Sequence, residues 1–531
     1  MSASEMYRIL IADPLHPAGL EILEEAGAEL HLLTDEERPR LAELIADFDA
    51  LVVRSMTTVD ATLLEAGKRL KVVGRAGVGV DNVDVAAATE HGILVVNAPT
   101  ANLMSAVEHT FALLLALARN VPAAERSLRA GEWKRKQFQG VELDGRTLGV
   151  VGLGRIGQQV AARARAFGMK VVAFDPFLDA AVAKRLDIEL MEIEELLAAA
   201  DVVTLHIPLT EQTRNLLGAE RLAKMKPGAL LINCARGGVV DEAALLAALE
   251  EERLAGAALD VFSQEPPTDS PLVDHPRVVV TPHIGAQTRE AQERVATETA
   301  HMVLAALDGS LAVTAVNLPF ISTGVLGEGL VALAEQLGEL ASSLLDGSLQ
   351  ELKVGLWGID EEMEVPLTVA VVKGALTPFL GETVNFVNAE HLAEGRGIEV
   401  ARSSHRQPGE YPQLIEVRLT GEGGTTEVGG TLFAATDPRV VHFDGYRLEF
   451  RLKGHLLVLR NRDVPGVVGK VGTLLGDAGI NIAEIHLARQ EGGEEAMAVL
   501  RLDAELAPEV VDQLTALPEI NRVQTISLAP R

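Results

Sequence analysis

The chain has 531 residues, 48% of them hydrophobic, with 47 basic against 76 acidic side chains, a net charge of −29 and one cysteine. This length calls for about three or four domains rather than one. The charge disfavours nucleic acid or an anionic membrane as partner, and a lone thiol excludes an internal disulfide framework and a cysteine-built zinc site, so no metal is expected.

The opening residues, MSASEMYRILIADPLH, lack the basic region and apolar core of a signal peptide, so a reducing, cytoplasmic setting is expected. From Tyr7 to Val96 the runs RILIA, AELHLL, ALVVRS, LKVVGRA and ILVVN alternate with helical patterns. That alternation predicts a parallel sheet covered by helices. Pro99 closes this unit, and a helix over about Asn102 to Arg119 leads away. Its run FALLLALA is far short of the ~20 apolar residues that span a bilayer and reads as a buried helix.

The alternation resumes at Thr147 with TLGVVGLG, KVVAFD, DIEL, DVVTLHIP, GALLINCA, AGAALDVF and RVVVTPHI, a second and larger doubly wound unit. After His283 a helix from about Thr288 to Leu307 stops at Asp308-Gly309. It is long enough to return to the first unit, which would make the first domain discontinuous. Beyond Asn317, LKVGLWGI, EVPLTVAVVKG and LIEVRLTG read as strands, and GEGGTTEVGG as a glycine-rich turn. From His455 the order is strand, helix, two strands, helix, strand: a ferredoxin-like unit of roughly 75 residues, ample for a binding module.

The strongest local signal is VVGLGRIGQQVAARARAFGMKVVAFDP. Gly152, Gly154 and Gly157 follow an apolar strand and open a helix, and Asp175 ends the next strand. Glycines permit the tight turn and let backbone N–H groups approach a pyrophosphate. An acid at Asp175 would bind a ribose and repel a 2′-phosphate, so NAD is favoured over NADP.

Ligands of open α/β sheets bind at the carboxyl ends of strands, which here carry Arg54 and Arg75 in the first unit and Asp175, His206, Cys234, Arg236, Asp260 and His283 in the second. Glu265, in DVFSQEPP, could hold one nitrogen of His283 and aim the other at a substrate, an arrangement suited to acid–base work. His206 is the rival but falls nearer the adenosine side. Arg236 suits the bidentate binding of a 2-oxo acid. The competing reading pairs it with Asp241 or Glu242 on the surface.

Taken together, GLGRIGQQVA with Asp175, NCARGGVVDEAAL, LDVFSQEPP and TPHIGAQTREA resemble the D-isomer-specific 2-hydroxyacid dehydrogenases over residues 1 to about 316. GRAGVGVDNVD, WKRKQFQG, NFVNA and a C-terminal ACT-like unit extend the resemblance to the long-form branch of that family, whose substrate is 3-phosphoglycerate. The resemblance implies a flavodoxin-like substrate domain (1–98 and 287–316), a Rossmann NAD domain (99–286), an α+β intervening domain (317–452) and a ferredoxin-like ACT domain (453–531).

It further implies Arg236, Glu265 and His283 as catalytic residues, and Arg54, Arg75, Val78, Gly79 and Asn102 as substrate contacts, with Arg135 reaching in from a partner subunit of a homo-oligomer. NAD contacts are implied for Gly152, Gly154, Arg155, Ile156, Gly157, Asp175, His206, Cys234, Ala235, Asp260 and Gly285. Asn461, Asp463 and Asn481 match positions that hold L-serine in related regulatory domains. Val78 and Ile207 depart from a common threonine. Two other activities remain open: reduction of glyoxylate or hydroxypyruvate, and NAD sensing without catalysis.

Overall fold

The protein is described here by a computed structural model covering residues 6–310, 314–320, 324–433, 437–489 and 494–528; the first five residues, part of the stretch that argues against a leader, lie outside the described residues. Five parallel strands, β1 (Arg8–Ile11), β2 (Glu29–Leu32), β3 (Ala50–Val53), β4 (Val72–Arg75) and β5 (Leu94–Asn97), form the first sheet in the order β2-β1-β3-β4-β5. Their alternate residues enter two cores. Leu10, Leu51, Val53, Val73 and Val95 pack with Ile45, Leu63 and Leu64 on one face. Ile9, Ile11, Val52, Val72 and Val96 pack with Ala300, Val303 and Leu307 on the other.

Those last three residues belong to the helix Arg289–Leu307, capped by Thr288, which has crossed back from the second unit to cover the first sheet. The approach is close enough that a Cβ on Gly74 of β4 would lie 2.5 Å from Val303 Cγ2. Asn317 then ties the chain to the sheet edge, accepting from Val95 N at 2.8 Å and donating to Ile93 O at 2.9 Å.

The second sheet contains β6 (Thr147–Val151), β7 (Lys170–Phe174), β8 (Glu189–Leu190), β9 (Val202–Leu205), β10 (Ala229–Asn233), β11 (Leu254–Leu259) and β12 (Val278–Val280), ordered β12-β11-β10-β9-β6-β7-β8. The direction of winding reverses between β6 and β9, and that switch point is where such sheets bind ligands. The helices Leu103–Ala118 and Arg155–Ala166 share one core with β6, β10 and β11 through Leu113, Leu114, Val160, Leu148, Ile232 and Ala258.

A mixed sheet follows: β13 (Leu349–Trp357), β14 (Glu399–His405), β15 (Leu414–Gly421), β16 (Gly424–Phe433), β17 (Asp437–Phe443) and β18 (Tyr446–Arg451), in the order β14-β13-β15-β16-β17-β18. Two sequence expectations fail here. EVPLTVAVVKG is not a strand but part of the helix Glu364–Leu380. Its valines favour a strand locally, but a continuous apolar run also fits a helix buried on all sides, and periodicity cannot separate the two. Leu367, Val369, Ala370, Val371, Val372 and Ala375 are all buried, in the core shared with the helix Gly324–Leu344. By length and composition the stretch Glu361–Leu380 would pass for a membrane span, yet most of it is buried within the protein. GEGGTTEVGG, in turn, is mostly β16, with only Glu422 and Gly423 turning.

The last sheet has β19 (Gly454–Arg462), β20 (Ile482–Arg489), β21 (Glu495–Leu502) and β22 (Ile520–Leu528), antiparallel in the order β20-β21-β19-β22. The helices Val467–Asp477 and Pro508–Thr515 cover one face. The other face, through Leu456, Val458, Met497, Val499 and Ile526, joins the core of the third sheet.

Candidate active site

At the end of β6 the backbone turns at Gly152 with φ of +91°, where a Cβ would stand 2.6 Å from His206 O. Gly157 lets the helix Arg155–Ala166 close on that turn, since a Cβ there would come within 2.1 Å of Gly152 O. Gly154 faces open space. Asp175, after β7, is tied to this loop: one carboxylate oxygen accepts from Leu153 N at 2.8 Å, the other from Phe177 N at 2.9 Å. An open glycine at a helix N-terminus with an acid beside it fits the pyrophosphate and ribose of a dinucleotide. Arg155 is exposed at the mouth of the loop, and Ile156 packs inward. His206 follows β9 with Nε2 3.0 Å from Thr204 Oγ1, and burial pushes it down to about 4, leaving a neutral ring. Ile207 packs against the core behind it and offers no side-chain donor.

The ends of β10, β11 and β12 converge on Asp260. Its Oδ1 accepts from Thr281 Oγ1 at 2.6 Å and Ile284 N at 2.8 Å, and its Oδ2 from Gly285 N at 2.8 Å. Burial raises this carboxyl, but bonds from His109, Thr281 and Ile284 outweigh it and hold it below the usual aspartate value. Cys234 Sγ lies 3.8 Å from Asp260 Oδ2, and burial together with that carboxylate pushes the thiol up to about 12. A thiol so held is not a nucleophile. Ala235 N donates to Asn233 Oδ1 at 3.1 Å, shaping the turn into Arg236.

His283 Nδ1 lies 2.6 Å from Glu265 Oε2, and Glu265 Oε1 accepts from Phe262 N at 3.0 Å. Burial raises the Glu265 carboxyl, but the bonds from His283 and Phe262 prevail, so it stays ionised. The carboxylate fixes the tautomer with the proton on Nδ1 and leaves Nε2 free to face a substrate. Both side chains remain partly accessible, as proton transfer to a ligand requires.

Arg236 does not pair with Asp241 or Glu242. Asp241 caps the following helix and Glu242 accepts from Ser263 N. Instead Arg236 crosses between the two doubly wound units: its Nε donates to Asp81 Oδ2 at 2.8 Å and its Nη1 to Ala235 O at 2.7 Å. Gly79 makes room for this pair, because a Cβ there would meet Arg236 Nη2 at 1.9 Å.

Arg75, ending β4, faces the same space; burial and then the charge of Arg236 lower it to about 10, still cationic at neutral pH. Among the described residues its Nε is buried without a hydrogen-bond partner, and so is Asn102 Oδ1. Arg54 is held by its backbone, which donates to the buried Asp13 at 2.7 Å. The Val78 carbonyl is fixed by Asn97 Nδ2 at 2.5 Å. Arg135 stands apart on the exposed turn Arg135–Phe138, and no hydrogen bond or ion pair among the described residues joins it to this cleft.

Sequence reasoning left out Asp81, Asn97, Asn233 and His109. Asp81 lay within GRAGVGVDNVD, but nothing local marks an acid as the partner of an arginine 155 residues away.

Of the three effector candidates Asn461 lies in β19, Asp463 just follows it and Asn481 just precedes β20, and each is bonded within the chain. Asn461 donates to Arg462 O at 2.8 Å, Asp463 pairs with Arg489 at 3.2 Å, and Asn481 donates to Asp503 at 2.8 Å. Asn461 also lines a small apolar depression with Leu459, Val471, Ile482 and Leu500.

The dinucleotide loop and the Arg236, Glu265 and His283 side chains of the second unit, with Arg236 reaching Asp81 of the first, define an NAD-dependent dehydrogenase of the D-isomer-specific 2-hydroxyacid class. Comparison with known proteins agrees: the NAD-binding domain of that family matches residues 111–285. The D-3-phosphoglycerate dehydrogenase intervening domain matches residues 328–444, and the ACT domain 455–519. The D-3-phosphoglycerate dehydrogenase of Methanocaldococcus jannaschii is 44% identical over 98% of this chain and all of its own length. That of Bacillus subtilis is 42% identical over the same shares. Among solved structures, the TT0316 protein of Thermus thermophilus is 41% identical, with a TM-score of 0.53 over 57% of this chain and 97% of its own. The D-lactate dehydrogenase of Aquifex aeolicus, complexed with NAD and lactic acid, is 31% identical, with a TM-score of 0.53 over 57% and 96%. The chain belongs to the D-3-phosphoglycerate dehydrogenase family.

Proposed function

We propose that the protein oxidises 3-phospho-D-glycerate to 3-phosphohydroxypyruvate, the entry to L-serine synthesis. The observations that support this reading are two guanidiniums, Arg75 and Arg236, within electrostatic reach of each other across the two units, and the His283–Glu265 couple after the neighbouring strands of the second sheet. Arg236 binds the substrate carboxylate and C2 oxygen, while Arg54 and Arg75, helped by Val78, Gly79 and Asn102, receive the anionic remainder. Neutral His283 takes the C2 hydroxyl proton on Nε2, and ionised Glu265 stabilises the imidazolium that forms. NAD, bound at the glycine loop and Asp175, supplies the acceptor for the C2 hydride. In reverse, protonated His283 returns the proton to the ketone.

We extend the proposal to the site's surroundings. The four domains divide at 1–98 with 287–316, 99–286, 317–452 and 453–531. The enzyme works in the cytoplasm as a homo-oligomer in which Arg135 of one subunit serves the cleft of another, and L-serine binds around Asn461, Asp463 and Asn481 to restrain turnover.

The deciding measurement is NADH oxidation with 3-phosphohydroxypyruvate against glyoxylate, each with and without L-serine. Preference for the phosphorylated ketoacid is expected, as is a lower rate with serine. No turnover of the phosphorylated substrate overturns the activity; turnover indifferent to serine overturns only the regulation.

A further inference from the structure

Among the polar side chains of the helix Leu103–Ala118 that the reaction does not use, Ser105 and His109 reach the loop that holds His283. Ser105 Oγ donates to Gly285 O at 2.8 Å. His109 Nε2 lies 3.1 Å from Asp260 Oδ1 and 3.0 Å from Thr281 Oγ1, with side chains only 15% and 1% exposed at His109 and Asp260. Asp260 accepts from the Ile284 and Gly285 amides and the Thr281 hydroxyl, while its own carbonyl accepts from His283 N at 2.8 Å. The loop is therefore clamped on both sides of His283.

That clamping matters because His283 has φ of +53°. A non-glycine residue holds this left-handed conformation only where its surroundings fix it. An ionised carboxylate out of water, in turn, needs several donors. His109, Cys234 and Asp260 also form a set of metal-ligand types within 4.8 Å of one another. Hydrogen bonds already join the three, however, which makes the set a network rather than an ion site.

We propose that His109 is a positioning residue for the dehydrogenase reaction: by donating Nε2–H to Asp260, it steadies the carboxylate that clamps the His283 loop and so sets where His283 aims its free nitrogen. This rests on His283 being the proton-transfer group. A helix packed on the second sheet thus braces the loop that carries His283.

The test compares His109→Leu with His109→Gln in the full-length enzyme, on whichever 2-oxo acid the wild type reduces best. His109→Leu should lower kcat about tenfold or more, with the KM for the 2-oxo acid within about threefold, because a small misplacement of a catalytic group costs rate before binding. Its solvent deuterium isotope effect on kcat should rise as the proton step slows. His109→Gln, whose amide can reach Asp260, should restore most of kcat. Should the leucine variant not fold, His109→Asn, whose amide falls short, takes its place against glutamine.

A kcat within twofold of wild type overturns the proposal. So does a loss that glutamine does not rescue, or one that leaves the isotope effect unchanged. Choosing the 2-oxo acid from the wild-type rates separates this failure from failure of the phosphoglycerate assignment.

Discussion

The cleft and the C-terminal sheet treat their polar side chains in opposite ways. At the proposed substrate site, Arg75 Nε and Asn102 Oδ1 are buried without partners among the described residues, and Arg236 pairs with a carboxylate of the other unit. In and beside the C-terminal sheet, Asn461, Asp463 and Asn481 are all bonded to neighbours in the same unit. Burying an unpaired guanidinium nitrogen is costly, and a fold keeps such a group where an anion will meet it. The lesson is that one chain assembles the proposed substrate site with hydrogen-bonding capacity to spare, whereas the proposed effector positions must exchange existing bonds for new ones. A ligand there should act more weakly.

This contrast can be broken by substitution, and the largest effect should come from His283→Ala. It should lower kcat by roughly a thousandfold, within the usual range for a general acid–base group, while NADH binding followed by fluorescence changes little. Loss of NADH binding instead would show that His283 shapes the cofactor site. Glu265→Gln should cost roughly ten- to a hundredfold in kcat. The bonds from His283 and Phe262 hold the Glu265 carboxyl below its ordinary value, so the group stays charged well into acid. Without that charge the imidazolium is less favoured, and the acid limb of the oxidative pH profile should move to lower pH. An unmoved limb would mean that Glu265 does not govern His283.

Arg75→Met should raise KM for the phosphorylated ketoacid by roughly ten- to a hundredfold, the weight of a hydrogen bond to a charged group, and change KM for glyoxylate less. Equal effects on both would place Arg75 at the carboxylate rather than at the phosphate. The smallest change should come from Asp463→Ala, which exchanges the Arg489 ion pair for an open position and should shift the serine titration by about twofold to fivefold. A shift as large as that caused by Arg75→Met would erase the contrast.

The sequence made some of this legible and hid the rest for physical reasons. Gly152, Gly154, Gly157 and Asp175 could be read because their chemistry is that of a local backbone turn joined to the next strand. His283 and Glu265 could be read because both follow strands of one sheet and lie 18 residues apart. The Arg236–Asp81 pair could not, since only the packing of two units brings those residues together. His109 was masked by its setting on a helix whose other residues are mostly apolar, where a histidine suggests packing. The Glu364–Leu380 helix shows the opposite failure: its local β preference is clear and is overruled by burial.

The return of the Arg289–Leu307 helix to the first sheet means that the chain passes between the two doubly wound units twice. The passages are pinned side by side, Ser105 to Gly285 O at 2.8 Å and Arg294 to Ala101 O at 2.9 Å. A single linker would leave the units free to swivel and splay. Two adjacent pins oppose both movements, so the placing of the first sheet against the His283 loop is mechanical before it is chemical.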